Sequence, residues 1–212
     1  MLLFVFIATG IALNTAAQTN IFKKKRTYKI EGYVLLGLDT INGTIAIPII
    51  YDELDYNSLA TSITFIDTLN STKKYTPLKA SGFGLRDDAV FGDYVSIRVE
   101  EDFGQTLFLK KVLNGKITLF EHKLDRTVVR DRSPGSKIQE KVSIDESIYY
   151  LKKDDEPLVK IQFNSKTSTI RKKDLKKLVN ILPDNFANSD EEIDVSELIT
   201  ILSDFNLTAS KE

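Results

Sequence analysis

From Tyr28 to Phe163 the apolar residues come in short runs, each cut off by turn-forming residues. Such a segment has room for strands but not for helices of ordinary length, so it constrains the fold more than any other feature. Ile30 to Leu38 and Gly43 to Ile50 are two such runs, and Asp39-Thr40-Ile41-Asn42-Gly43 between them reads as the turn of a first hairpin. Pro48 removes a ladder donor and suits a strand end better than a central position. Ser62 to Asp67 is the next strand, and Asn70 to Lys74 is polar and turn-like. Lys79 to Leu85 follows, with Gly82 and Gly84 flanking Phe83, a pattern of bulges or close backbone approach. Asp93 to Glu100 alternates, with Tyr94, Ser96, Arg98 and Glu100 on one side and Val95, Ile97 and Val99 on the other. Leu107 to Leu113 and Ile117 to Lys123 flank Asn114-Gly115, which predicts a two-residue type I′ hairpin. Ser133-Pro134-Gly135-Ser136 is a loop. Ser147 to Lys153 and Pro157 to Phe163 form a last pair around Asp154-Asp155-Glu156. About nine short strands predict a mainly β chain, folded as an antiparallel sandwich or open barrel.

The period then changes. Leu175, Leu178, Val179 and Leu182 recur at helical spacing, with Thr169 as the expected N-cap and Pro183 as the stop. A second helix is expected after Asp194. Asp194 and Glu197 have capping-box spacing, Ile193 and Leu198 can form a hydrophobic staple, and Ile201, Leu202 and Phe205 complete an apolar face with Leu198. Two helices this short are not stable alone and must pack on each other, on the β region or on a partner. The expected organisation is therefore 1–18 as a signal peptide, 19–165 as an antiparallel β domain, and 166–212 as a two-helix C-terminal appendage.

The signal assignment rests on Met1 to Gln18, which holds no Asp, Glu, Lys or Arg and is apolar from Leu2 to Leu13. As a helix that run reaches about 18 Å, short of a bilayer core of about 30 Å. It ends in small residues at Thr15-Ala16-Ala17, as a cleaved secretory signal does. Two features depart from the usual pattern: no Lys or Arg precedes the run, and Lys23-Lys24-Lys25-Arg26 follows it. The alternative is an uncleaved amphiphilic anchor. Either way the chain is expected to be exported, to the periplasm or the cell surface, with no transmembrane span once the signal is cleaved. The absence of cysteine rules out both a lipidated Cys and disulfides, so an exported domain of about 190 residues must be held by its core alone.

Charge is balanced, 29 basic against 30 acidic residues, which gives no electrostatic reason to expect nucleic acid as a partner. The local basic clusters at Lys23 to Arg26 and Lys172 to Lys177 read as a solvated terminus and a polar helix face. His122 is the one histidine, so a histidine-based metal site is excluded, and no Gly-x-Ser-x-Gly or Ser-x-x-Lys marks a nucleophile. Asp87-Asp88, Glu100-Glu101-Asp102 and Asp154-Asp155-Glu156 are neighbours in sequence; on strands they point to opposite faces, and in turns they are solvated. Asp184 to Val195 has the acid density of a calcium loop but lacks its glycine and its final glutamate. Asp190, Glu191 and Glu192 suit a helix N-terminus instead. Phosphate-binding glycine motifs are absent. Phe83 and Tyr149-Tyr150 are the best candidates for recognition aromatics, with core packing as the alternative. Asn42, Asn70 and Asn206 are glycosylation sequons. No catalytic, cofactor-binding or metal-ligating residue is assigned.

Several segments, taken in order, resemble a family of exported envelope proteins of Gram-negative bacteria that has no assigned activity. They are Leu38-Asp39-Thr40-Ile41-Asn42-Gly43-Thr44-Ile45, then Tyr75-Thr76-Pro77 and Gly82-Phe83. Phe108-Leu109, Asn114-Gly115-Lys116 and Leu119-Phe120 follow, and Tyr149 to Lys153 comes last, before the helices. Leu38 stands where the family has Gly, and Phe120 where it has Tyr. The resemblance implies an envelope protein with a β domain and a helical tail, and it supplies no activity and no site residues. The expectation is a non-enzymatic β domain that binds or scaffolds an envelope protein or glycan. The alternatives are a hydrolase using carboxylates from separate strands, and an assembly factor acting through its C-terminal helices.

Overall fold

The computed structural model describes residues 26–50, 53–87, 91–100, 104–131, 139–154, 156–163, 167–178 and 189–209. The expected signal peptide, Lys23 to Lys25, the Ser133 to Ser136 loop, Asp88, Glu101, Asp102, Asp155, Val179, Leu182 and Pro183 lie outside the described residues.

In chain order the elements are β1 (Thr27–Leu36), β2 (Asp39–Ile50), β3 (Glu53–Leu54), α1 (Tyr56–Thr61), β4 (Ile63–Asp67), β5 (Thr72–Tyr75), β6 (Gly82–Leu85), β7 (Gly92–Val99), β8 (Gln105–Leu113), β9 (Ile117–Asp131), β10 (Gln139–Lys153), β11 (Val159–Ile161), β12 (Ile170–Arg171), α2 (Lys172–Leu178), β13 (Glu192–Ile193) and α3 (Val195–Ala209). The chain is mainly β, as its alternation predicts. Ten strands lie on one antiparallel path, β11-β10-β9-β8-β7-β6-β1-β2-β4-β5, with β3 paired to the end of β2. The sheet is open and does not close into a barrel. β12 and β13 form a separate two-stranded ladder that ties α2 to α3. The hairpin of β9 and β10 outruns its neighbours. Pairing to β8 and β11 reaches Glu121 and Tyr149, while β9 and β10 continue against each other as far as Asp131 and Gln139.

The two expected Asn-Gly turns come out differently. The first hairpin turns at Gly37-Leu38, where Gly37 has φ of +64°, and Asn42-Gly43 lies inside β2, opposite Tyr33 and Gly32. Gly43 serves space rather than turning: a Cβ there would stand 2.5 Å from the Phe65 ring, which packs across it from β4. Asn114-Gly115 does join two strands, but the connection spans Asn114 to Lys116 and neither central residue has the positive φ of a type I′ turn. A register irregularity between Lys111 and Leu113 accompanies it. The segment expected as a turn at Asn70 to Lys74 is mostly β5, and the turn proper is closed by Asp67, whose carboxylate accepts from the amides of Leu69 and Ser71.

Side-chain alternation puts two apolar clusters on one face of the sheet. In the first, Ile30, Val34, Ile45, Ile47, Ile63, Phe65, Phe83, Leu85, Tyr94 and Phe108 pack with Leu59 of α1. Phe83 stacks on Tyr94 at 4.4 Å and meets Phe108 edge-on, so it is a core residue. In the second, Ile117, Leu119, Leu151 and Ile161 pack with Ile170, Leu175, Ile193, Leu198 and Leu202. Val99, Leu107, Leu109, Phe120 and Tyr150 form a third cluster, on the opposite face. Tyr150 is thus also a core residue, whereas Tyr149 is half-buried.

The C-terminal helices are joined to the sheet by specific contacts. The capping box forms as its spacing predicts: the Glu197 amide donates to Asp194 Oδ1 at 2.9 Å, and the Asp194 amide donates to Glu197 Oε2 at 3.1 Å. The first helix starts later than expected, at Lys172, because Ile170 and Arg171 pair with β13. Thr169 does not cap it and donates to Glu192 instead. The acids before α3 answer the basic cluster on α2. Lys172 pairs with Glu191, Lys173 with Asp190, and Lys177 and Arg171 with Asp174. The hydrogen bonds from Lys177 and Arg171 hold the Asp174 carboxyl below its ordinary range.

Near the end of α3, Asn206 clamps the β8–β9 connection. Its Oδ1 accepts from the Ile117 amide and its Nδ2 donates to the Ile117 carbonyl, both at 2.9 Å. A Cβ at Gly115 would collide with the same carboxamide, so the glycine of the turn is what admits the clamp. Ile117 is fully buried. Asn206→Ala leaves both of its main-chain groups without this partner and should cost about 1–3 kcal/mol. Urea unfolding checks this: the midpoint falls while the slope is unchanged.

Candidate functional site

The register of five strands builds one row across the helix-bearing face. Phe83 of β6 stands opposite Tyr94 of β7, Tyr94 opposite Lys110 of β8, Lys110 opposite Glu121 of β9, and Glu121 opposite Tyr149 of β10. The middle of this row is polar because helix cover is discontinuous there. On β9, Ile117 and Leu119 lie under α3, while Lys123 lies under α1 with its ammonium 4.3 Å from the Tyr56 ring centroid. Glu121 falls between them.

Two cavities meet at Lys110 and Glu121. One, of about 250 Å³, lies against α1 and is lined by Tyr56, Ala60, Tyr94, Phe108 and Lys123 besides those two, with His122 at its wall. The other, of about 410 Å³, lies toward the β8–β9 connection and takes in Phe91, Gly92, Asp93 and Asn114. α1 places Tyr56 and Ala60 because Asp55 caps it, its side chain accepting from the Ser58 amide at 3.1 Å. Glu121 is turned toward β10, where Ser147 Oγ donates to its Oε1 at 2.7 Å and the Tyr149 hydroxyl at 3.3 Å. Burial pushes the Tyr94 and Tyr149 hydroxyls above their ordinary range, and in both the charge of Glu121 adds to the shift.

A second polar cluster lies on the other face at the same strands. Tyr33, Gly84 and Asp93 stand side by side on β1, β6 and β7. The Tyr33 ring covers the space a Cβ at Gly84 would occupy, and its hydroxyl donates to Asp93 Oδ1 at 2.7 Å. The Arg86 guanidinium sits 4.8 Å from that ring. The glycine after Phe83 therefore makes room for a tyrosine bridging three strands.

The sequence-level candidates distribute as follows. Asp87 accepts from Tyr28 at 3.1 Å, Glu100 pairs with Arg98, and Glu156 pairs with Lys153. None of the three lines either cavity. His122 lines the smaller cavity and Tyr149 donates to Glu121 beside it, while Phe83, at the end of the row, and Tyr150 line neither cavity. Tyr56, Tyr94, Lys110, Glu121 and Lys123 were not singled out in sequence. Among the described residues no group of three or more His, Asp and Glu side chains converges to hold a metal ion, and no helix is long and apolar enough to cross a membrane. No family model, curated protein or solved structure matches the chain.

Burial, followed by the hydrogen bond to Asp93, pushes Tyr33 up from its ordinary 10 to about 12. Below pH 10 the hydroxyl is protonated in both folded and unfolded chains, and its contribution to stability is whole. It is lost as the pH rises from 10 through 12. Tyr33→Phe should lower the urea midpoint at neutral pH, by about 0.5–1.5 kcal/mol of stability, and flatten the fall between about pH 10 and 12. An equal alkaline fall in both chains would remove Tyr33 as its source.

Proposed function

We propose that this chain is an exported envelope protein whose β domain binds a partner molecule without chemical turnover, and that the cleft between α1 and the β7–β9 floor is where it binds. The observation that carries the proposal is the facing pair Lys110 and Glu121, which lines both cavities beside aromatic residues, Tyr56, Tyr94 and Phe108 in the smaller and Phe91 in the larger. Binding sites combine an apolar lining with a few placed polar groups in this way. Export is supported by the apolar run at Leu2 to Leu13 and by the ordered motifs from Leu38 to Lys153.

The hydrolase reading has one observation in its favour: Asp93 and Glu121 both border the larger cavity. Both are already engaged as acceptors, Asp93 by Tyr33 and Glu121 by Ser147 and Tyr149. The assembly-factor reading draws no support from α3, because Leu198 and Leu202 are spent on the sheet.

Two experiments test the proposal. N-terminal sequencing of the exported protein should find Gln18 or Thr19 first; an intact Met1 refutes cleavage. A pull-down from the envelope fraction of the source cell, with wild-type and Lys123→Glu baits compared, should retain a species that the variant loses. Identical capture by both baits removes the cleft from the function.

A further inference from the structure

Resting on the cleft assignment above, we infer that the cavity beside α1 receives the aromatic or apolar body of a small organic anion, and that Lys110, at the border with the larger cavity, meets its charge. Lys110 stands directly opposite Glu121, where a cross-strand ion pair is the ordinary outcome. The pair does not form, because Ser147 and Tyr149 hold the Glu121 carboxylate toward β10. Among the described residues Lys110 makes no ion pair and no hydrogen bond. A half-buried lysine bordering two cavities is thus left without a counter-charge among the described residues.

The surroundings favour this placement. Gly92, in the lining of the larger cavity, leaves the room that the Lys110 stem occupies at the border of the two: a Cβ there would stand 2.9 Å from Lys110 Cε and 3.5 Å from Cδ and Cγ. Lys123, its ammonium 4.3 Å from the Tyr56 ring centroid, brings a second positive group to the lining, where Glu121 is the one carboxylate among the described residues. Tyr56, Ala60, Tyr94 and Phe108 supply an apolar wall for the rest of the ligand. At about 250 Å³ the space lies below the ~300 Å³ at which drug-sized sites begin. A single ring carrying a short acidic arm suits it better than a long chain or an oligosaccharide.

The test is a titration of the full chain with phenylacetate, its neutral isostere phenylacetamide, and the cation phenethylammonium, followed by amide NMR. Phenylacetate should shift Tyr56, Tyr94 and Lys110 saturably. Lys110→Gln should weaken it by about tenfold or more, the size of one charge-assisted hydrogen bond, with an unchanged urea midpoint. Gly92→Ala, which keeps the charge but crowds its stem, should weaken phenylacetate and leave the amide unaffected. Equal binding of acid and amide, tighter binding of the cation, or indifference of phenylacetate to Lys110→Gln overturns the anion assignment and leaves the cleft standing. No perturbation of these residues by any of the three probes overturns both.

Discussion

An open sheet of ten antiparallel strands has a broad apolar face, and a chain with no cysteine must cover that face by packing alone. The rest of the structure follows from how this chain meets the demand. It covers the face in two separate patches. A six-residue helix inserted between β3 and β4 seats Leu59 in the first core. The C-terminal helices seat Leu175, Leu198 and Leu202 over the far strands. Among the described residues neither patch reaches the other. The positions between them, on β8, β9 and β10, are those where the strands carry Lys110, Glu121 and Ser147, with Tyr149 at the edge of the second patch.

The second patch is bound to the sheet by more than apolar area. Asn206 does for Ile117 what a neighbouring strand would do, accepting from its amide and donating to its carbonyl. It does so at the β8–β9 connection, where the register is irregular and β8 does not continue the ladder. A residue near the chain's end thus completes hydrogen bonding at a strand start almost ninety positions earlier. The helical segment is in this sense a missing piece of the sheet, and its apolar face and its polar clamp address the same few residues. The β12–β13 ladder and the ion pairs of Lys172 and Lys173 with the acids before α3 fix the geometry of α2 against α3, so the clamp is presented by a preassembled unit.

Local signals were legible where local physics decides. The Asp194–Glu197 capping box needs only residues within one turn and appears as the spacing predicts. β7, by contrast, forms as a strand but buries Tyr94 of its expected polar side more fully than Val95 and Ile97 of its apolar one, because both faces of the sheet are packed there. Signals failed where a distant partner decides. Asn42-Gly43 reads as a turn because glycine accepts positive φ, yet Gly43 is there for the Phe65 ring, a residue on another strand. α1 escaped notice because six residues are too few to show a helical period, although Asp55 and Ser58 already carry its cap. The site was least legible of all. Lys110, Glu121 and Tyr149 become neighbours only through the register of three strands, which no spacing along the chain discloses.

A polar row in a gap between helices has a simple explanation in solvation, since residues that no helix covers face water. Solvation alone, however, leaves opposite charges on facing strands free to pair with each other. Here the carboxylate is held toward β10 by two hydroxyl donors, and the lysine lies along the space opened by a glycine on the other side. Three residues beyond the pair, Ser147, Tyr149 and Gly92, therefore act in the same direction, drawing the two charges apart. An arrangement that separates a ready-made ion pair forgoes its attraction and leaves a cation turned to a cavity with aromatic walls. Its charge and its shape are complementary to a small anion rather than to bulk water.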